Sequence, residues 1–133
     1  MILTPEQKDK TLRKQKLDKA QMAKKLLKQT QAILDDDKAV DVTTIDLAGK
    51  TPMSDYMIVA TGTSHRHVSS MADSLISKLK DEGFGRPRVE GMGQGDWVLV
   101  DAGDVIIHLF RLEVREFYNL EKMWTVDFDE AVS

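Results

Sequence analysis

The sequence predicts an α/β (α+β) fold, a single domain in which a mixed five-stranded β-sheet is packed with helices. Three observations predict it. Residues 96–124, DWVLVDAGDVIIHLFRLEVREFYNLEKMW, join two β-branched and aromatic runs through a Gly-containing link and then pass into an amphipathic segment. Upstream, two strand patterns and a short third one flank a helix with a complete apolar stripe. A chain of 133 residues has room for one core and no second one.

Taken in order, residues 1–16 are Lys-rich and poor in apolar groups, a basic N-terminal tail or helical extension. From Leu17 the positions Ala20, Ala23, Leu26, Leu27, Thr30, Ile33 and Leu34 keep helical spacing. Asp35-Asp36-Asp37 opposes the helix dipole, so this helix should stop by Leu34 or Asp35. Val40–Leu47 alternates as a strand, and Tyr56–Thr61 forms a second one after a Gly- and Pro-containing connection. Val68, Met71, Ala72, Leu75, Ile76 and Leu79 then line one helix face, with Ser64 as N-cap and Gly83 at the C-terminal cap. A short strand at Arg88–Glu90 would complete a strand-helix-strand unit, which should be parallel and right-handed.

The three-glycine loop Gly91-Met92-Gly93-Gln94-Gly95 precedes a strand, whereas phosphate loops open helices, so it reads as a flexible connection presenting Asp96 and Trp97. Trp97–Val100 and Val105–Phe110 pair through a turn at Asp101-Ala102-Gly103-Asp104. Period two places Trp97, Leu99 and Asp101 on one face and Val98 and Val100 on the other. VIIHLF is apolar at five of six positions, so this strand should be central with both faces against protein. Val114, Phe117, Leu120 and Trp124 fall on one helix face, which should dock on the sheet. Residues 17–124 therefore form the domain, and 125–133 an acidic C-terminal tail.

Charge is unevenly distributed. Residues 1–28 hold nine Lys and Arg against three acids, and the remainder holds ten against nineteen. An acidic body suits a basic partner better than it suits nucleic acid. The absence of Cys excludes disulfides, thiolate metal sites and Cys nucleophiles. No apolar run approaches the roughly 20 residues of a membrane span.

The turn Thr61-Gly62-Thr63-Ser64, between a strand and a helix, resembles both an anion-binding terminus and the strand-turn-helix of nucleotidyltransferases. Those enzymes need paired carboxylates to hold Mg²⁺ against a triphosphate. Here Asp96 and Asp101 point to opposite faces, Asp101 and Asp104 flank a turn, and VIIHLF contains no acid. His65 and His67 are two apart, a poor spacing for a metal on a helix, and with Ser64 they lack an acidic orienter. The Asp35–Asp37 triplet lacks further spaced ligands. His108 reads as a satisfied imidazole beneath the surface. No metal and no cofactor is expected.

Four motifs in order resemble the ribosomal silencing factor (Iojap-like) family. They are Ser54-Asp55-Tyr56; Ala60-Thr61-Gly62-Thr63-Ser64 followed by Arg66-His67-Val68; Asp96-Trp97 with Val100-Asp101 and Gly103-Asp104-Val105; and His108-Leu109-Phe110 with Arg115, Tyr118, Leu120-Glu121 and Trp124. The resemblance covers roughly residues 18–124 and implies a nucleotidyltransferase-like fold without catalytic machinery, hence no enzyme. It also implies a translation repressor that binds the large ribosomal subunit at its ribosomal protein 14, blocks joining of the small subunit and acts when nutrients are scarce. The family's partner-binding surface maps to Trp97, Leu99 and Asp101 and to the helix holding Arg115, Tyr118 and Glu121. Complementary charge between an acidic body and a basic ribosomal protein would speed encounter. The bacterial cytoplasm is the expected compartment, with an organelle as the alternative. A minor rRNA contact through the basic tail, a homo-oligomeric interaction domain (a homodimer) with the Trp97 face as its self-contact, and a nucleotidyl-transfer enzyme complete the readings, and no membrane partner is expected.

Overall fold

The structure, a computed structural model, describes residues 4–93 and 95–118, with backbone alone for 5–17 and 116–118. The element order is α1 (Pro5–Asp36), β1 (Val40–Asp46), β2 (Tyr56–Gly62), α2 (His65–Asp81), β3 (Arg88–Glu90), β4 (Trp97–Asp101), β5 (Val105–Arg111) and α3 (Leu112–Tyr118). The strands form one mixed sheet of order β1-β2-β5-β4-β3. Among the described residues only β2 and β5 pair in parallel, from Tyr56↔Val105 to Gly62↔Arg111, and the other three pairings are antiparallel.

Helix α1 spans 32 residues. It opens on Pro5, whose missing N–H is no loss in a first helical turn. Residues 5–16 lie within this helix. Among the described side chains of the helix, burial begins at Ala23 and continues through Leu26, Thr30, Ile33 and Leu34. The helix ends at Asp36, one residue past the expected stop, in a left-handed Lys38 with φ of 61°. Lys38 N–H donates to Asp35 O at 3.0 Å and Ala39 N–H to Leu34 O at 2.9 Å, a Schellman closure that satisfies two carbonyls. Helix α2 closes in the same way: Gly83 has φ of 88°, and Phe84 N–H reaches Leu79 O at 3.0 Å. At its start Ser64 Oγ accepts from His67 N–H at 3.1 Å, as the sequence predicts.

The two long helices cover one side of the sheet. Leu26, Ile33 and Leu34 of α1 and Val68, Met71, Ala72, Leu75 and Leu79 of α2 form one core with Ile58, Ala60, Val98, Val100, Val105, Ile107 and Leu109. On the other side Val59 and Phe110 pack with Val114 of α3, and Ile45, Leu47 and Met57 form a smaller cluster. The apolar stripe of α3 is described only through Val114; Leu120 and Trp124 lie outside the described residues.

Three features refine what the sequence predicts. β3 runs in the same direction as β2 but does not lie beside it, because β5 and β4 are inserted between them and β3 becomes the far edge. Strand order depends on which long-range pairs form, and local pattern is blind to that. β5 is central, but its faces are unequal: Val105, Ile107 and Leu109 are buried under the helices, whereas Ile106 and His108 are half-buried. The apolar run therefore conceals an alternation that holds from Val105 to Leu109 and ends at the buried Phe110. The glycine loop is also tighter than a flexible connection. Gly91 sits at φ of 88°, where a Cβ would stand 2.2 Å from the carbonyl oxygen of Trp97, so only glycine lets the chain pass there.

Gly91→Ala should lower unfolding stability by about 2 kcal/mol or more, the left-handed penalty plus the clash. Gly93, where an added Cβ would meet no atom within 4 Å, provides the control: Gly93→Ala should shift stability by less than about 0.5 kcal/mol. Urea titration of both variants checks this, and equal midpoints would refute it. Deleting residues 1–15 removes a stretch that precedes every position of α1 described as buried, so the melting transition should shift by no more than about 1 kcal/mol. Loss of a cooperative transition would show that the stretch belongs to the core.

Candidate functional site

The side of the sheet away from α1 and α2 opens to solvent toward β4. Trp97 is 37% exposed and Leu99 is half-buried, while Val98 and Val100 are fully buried. Antiparallel register sets Trp97 directly opposite Phe110 and Leu99 opposite His108. The indole packs on Phe110 with ring centroids 4.9 Å apart and on His108 at 5.8 Å. Its Nε1–H donates to His108 Nδ1 at 3.0 Å. That bond assigns the His108 proton to Nε2. Burial lowers the His108 pKa from its ordinary 6.5 to about 4, so the ring is neutral near pH 7 and remains an acceptor for Trp97. The outcome is a large ring fixed in position yet accessible, beside a shallow depression lined by Glu90, Gly91, Trp97 and Leu99.

The other residues singled out in the sequence have different surroundings. Asp101 shares the Trp97 face, but its Oδ1 accepts from Gly103 N–H at 2.9 Å, the role of a turn residue. Arg115 is half-buried and turned inward across α3: Nη1 donates to Thr61 Oγ1 at 2.6 Å and to Asp41 O, and Nη2 to Thr43 Oγ1 at 3.2 Å. It ties α3 to β1 and β2, away from the Trp97 strand. Tyr118 ends α3 and is described by its backbone alone, and Glu121 lies outside the described residues. The structure therefore brings Trp97 and Leu99 together and does not bring Arg115 to them.

The Thr61-Gly62-Thr63-Ser64 turn lies at the carboxyl ends of the parallel strands, where open α/β sheets usually take ligands. Several of its polar groups are engaged within the chain. Thr61 is buried against Arg115, Ser64 Oγ caps α2, and Thr63 N–H donates to His67 Nδ1 at 2.9 Å. His67 Nε2–H in turn donates to Asp37 O at 2.8 Å, joining the start of α2 to the end of α1. A Cβ at Gly62 would stand 2.6 Å from Val68 Cγ2, so the helix fills the space behind the turn.

Beside it is a charged cluster that sequence reasoning missed. Asp96 Oδ1 accepts from Arg111 Nε at 3.0 Å and faces His65 Nδ1 at 3.3 Å, and Arg111 Nη1 donates to Glu113 Oε2 at 2.5 Å. Arg111 closes the apolar run VIIHLF, and a cation at the end of a central strand was the available signal. The Ser54-Asp55-Tyr56 motif also gains a reason. Ser54 Oγ–H donates to Gly103 O at 2.8 Å, and the Asp55 and Tyr56 N–H groups donate to Asp104 O, so the motif clamps the β4–β5 turn. Among the described residues no group of three or more His, Asp or Glu side chains is placed to hold a metal ion. Among them, too, no helix is long and apolar enough to cross a membrane.

Comparison with known proteins gives this architecture a lineage. Residues 20–132 match the family described as "ribosomal silencing factor during starvation". A ribosomal silencing factor RsfS of Zymomonas mobilis is 52% identical over 99 residues, covering 74% of each chain. The mouse protein named "mitochondrial assembly of ribosomal large subunit protein 1" is 34% identical over 106 residues, covering 77% of this chain and 46% of its own. A crystal structure of a Chromobacterium violaceum protein, 39% identical, superposes with a TM-score of 0.73 over 77% of this chain and 85% of that one. Motifs, mixed sheet and relatives agree, and the chain belongs to the ribosomal silencing factor family, whose Iojap-named members include organellar proteins.

Proposed function

We propose that this chain binds the large ribosomal subunit at its ribosomal protein 14, sterically blocks joining of the small subunit and so represses translation under nutrient limitation. The observation that carries the reading is Trp97, a rigid and accessible ring on the open side of an acidic body. Trp is enriched among the few residues that dominate protein–protein binding, and a ring already held by Phe110 and His108 loses little freedom on docking. Trp97 and Leu99 form the anchor, Asp101 holds the turn at the end of their strand, and Arg115, tied to β1 and β2, sets α3 as a separate part of the contact. Tyr118 and Glu121 extend the contact toward the C-terminus. The body beyond residue 28 holds nineteen acids against ten Lys and Arg, which favours a basic ribosomal protein as partner. Action is by occlusion without catalysis, in the bacterial cytoplasm, and a minor rRNA contact comes from the basic N-terminal segment.

Trp97→Ala should weaken binding to purified large subunits by about thirtyfold or more, the equivalent of roughly 2 kcal/mol. It should lower stability by less than the roughly 3 to 5 kcal/mol typical of a fully buried Trp. Sedimentation with large subunits and thermal melting measure the two together. Unchanged sedimentation of a folded variant would move the interface elsewhere, and an unfolded variant would make Trp97 core. Mg²⁺-dependent release of pyrophosphate from a nucleoside triphosphate would instead establish an enzyme.

His108 supplies a pH test of the same anchor. Its folded pKa, about 4, lies below the 6.5 of the unfolded chain, so between those values the unfolded state binds more protons. Its contribution to stability is complete above about pH 6.5 and is lost as pH falls toward about 4. His108→Gln keeps an acceptor for the indole but does not titrate. The variant should lose stability less steeply than the wild type across this window, and identical slopes would show that His108 protonates freely.

A further inference from the structure

Within α1, Lys10, Arg13, Lys14, Lys24, Lys25 and Lys28 fall at i, i+3, i+4, i+14, i+15 and i+18. These positions share one face of an α-helix, and Leu17 and Gln21 occupy the places between. Asp18, the single acid between Lys10 and Lys28, is off the stripe. At about 100° per residue the stripe is roughly opposite the buried face of Ala23, Leu26, Thr30, Ile33 and Leu34. Lys24, Lys25 and Lys28 are all exposed, and so are residues 18–22, from which the helix continues unbroken back to Pro5. The stripe is about 27 Å long at 1.5 Å per residue.

From this arrangement we infer that the basic face of α1 binds the phosphate backbone of RNA, without reading sequence, as a second contact separate from Trp97. The choice of RNA rests on the ribosome-binding reading. A line of cations along one helix face matches the line of phosphates on a polynucleotide, and such binding is driven by release of counterions. The same helix is poorly suited to a membrane surface. Residues 5–22 contain no aromatic side chain, and Leu12, Leu17, Ala20 and Met22 fall at four different angles around the helix, so no apolar face exists to enter a bilayer. α1 covers one side of the sheet and Trp97 stands on the other, so the two contacts can be removed independently.

The test compares two triple variants of the full chain with equal loss of charge. The stripe variant is Lys14→Gln, Lys24→Gln, Lys28→Gln, and the off-stripe variant is Lys8→Gln, Lys16→Gln, Lys19→Gln. Circular dichroism first establishes that both keep the helix. Affinity for a short fluorescent uridine homopolymer is then measured across a salt series. For the stripe variant the slope of log affinity against log salt should shrink by about 2, at about 0.7 per phosphate contact, with at least a tenfold loss at low salt. The off-stripe variant should remain close to the wild type. Equal losses in both variants would reduce the effect to bulk charge and overturn the inference, as would absent or salt-independent RNA binding. Stripe-dependent binding to phosphatidylglycerol vesicles without RNA binding would overturn it in favour of a membrane. The homopolymer assay contains no ribosomes, so a chain that shows the stripe-dependent slope but fails to sediment with large subunits supports the stripe and refutes the ribosome reading alone.

Discussion

The parallel pairing of β2 with β5 is the constraint on which the rest of the molecule depends. Parallel neighbours cannot be joined by a tight turn, so the chain must leave β2 at Gly62 and return to enter β5 at Val105 from the same end as Tyr56. The intervening residues supply α2 to cover one side, then β3 and β4 to extend the sheet beyond β5. Because β4 reaches β5 through a short hairpin, Trp97 is necessarily delivered opposite Phe110. The site is thus a consequence of sheet order, fixed by residues at its opposite end: Ser54, Asp55 and Tyr56 hold the hairpin turn through hydrogen bonds to Gly103 and Asp104.

Two kinds of contact stabilise the two sides. Beneath the helices the core is apolar apart from the Thr30 hydroxyl, which donates to Leu26 O at 2.7 Å within its own helix. The other side mixes apolar clusters with polar ties, notably Arg115 to Thr43 and Thr61, and Trp97 to His108. Exposed ion pairs such as Arg111 with Glu113 contribute little, about 0 to 1 kcal/mol each. Rigidity at Trp97 comes instead from ring packing over the fully buried Phe110. The lowered pKa of His108 is the electrostatic mark of that packing: water has been removed from one side of the imidazole.

Much of this was legible in the sequence, and the exceptions have physical causes. The α2 stripe with its Ser64 and Gly83 caps, the β4–β5 hairpin and the face carrying Trp97 follow from local periodicity and turn chemistry, which act over a few residues. The position of β3 and the inward turn of Arg115 depend on pairings across many residues, Arg115 to Thr43 spanning 72, and no local pattern encodes them. The start of α1 was ambiguous because Lys, Gln and Glu are good helix formers and equally good solvated tails. The Trp97–His108 bond was hidden for a simpler reason. It requires the register of the hairpin, which the hydrogen bond of Asp101 to Gly103 helps to fix.

Edge strand β1 shows how such a sheet avoids growing. Between Val40↔Thr61 and Thr43↔Val59 its register slips, and Asp41 takes a left-handed φ of 49°. The guanidinium of Arg115 reaches across to the carbonyl of that residue. Val40 and Val42 remain exposed at this rim, a combination that on a flat strand would invite another chain to add to the ladder. The bulge bends the outer row of amide groups out of line. The end of the strand that displays the two valines is therefore a poorer template for edge-to-edge pairing than a flat strand would be.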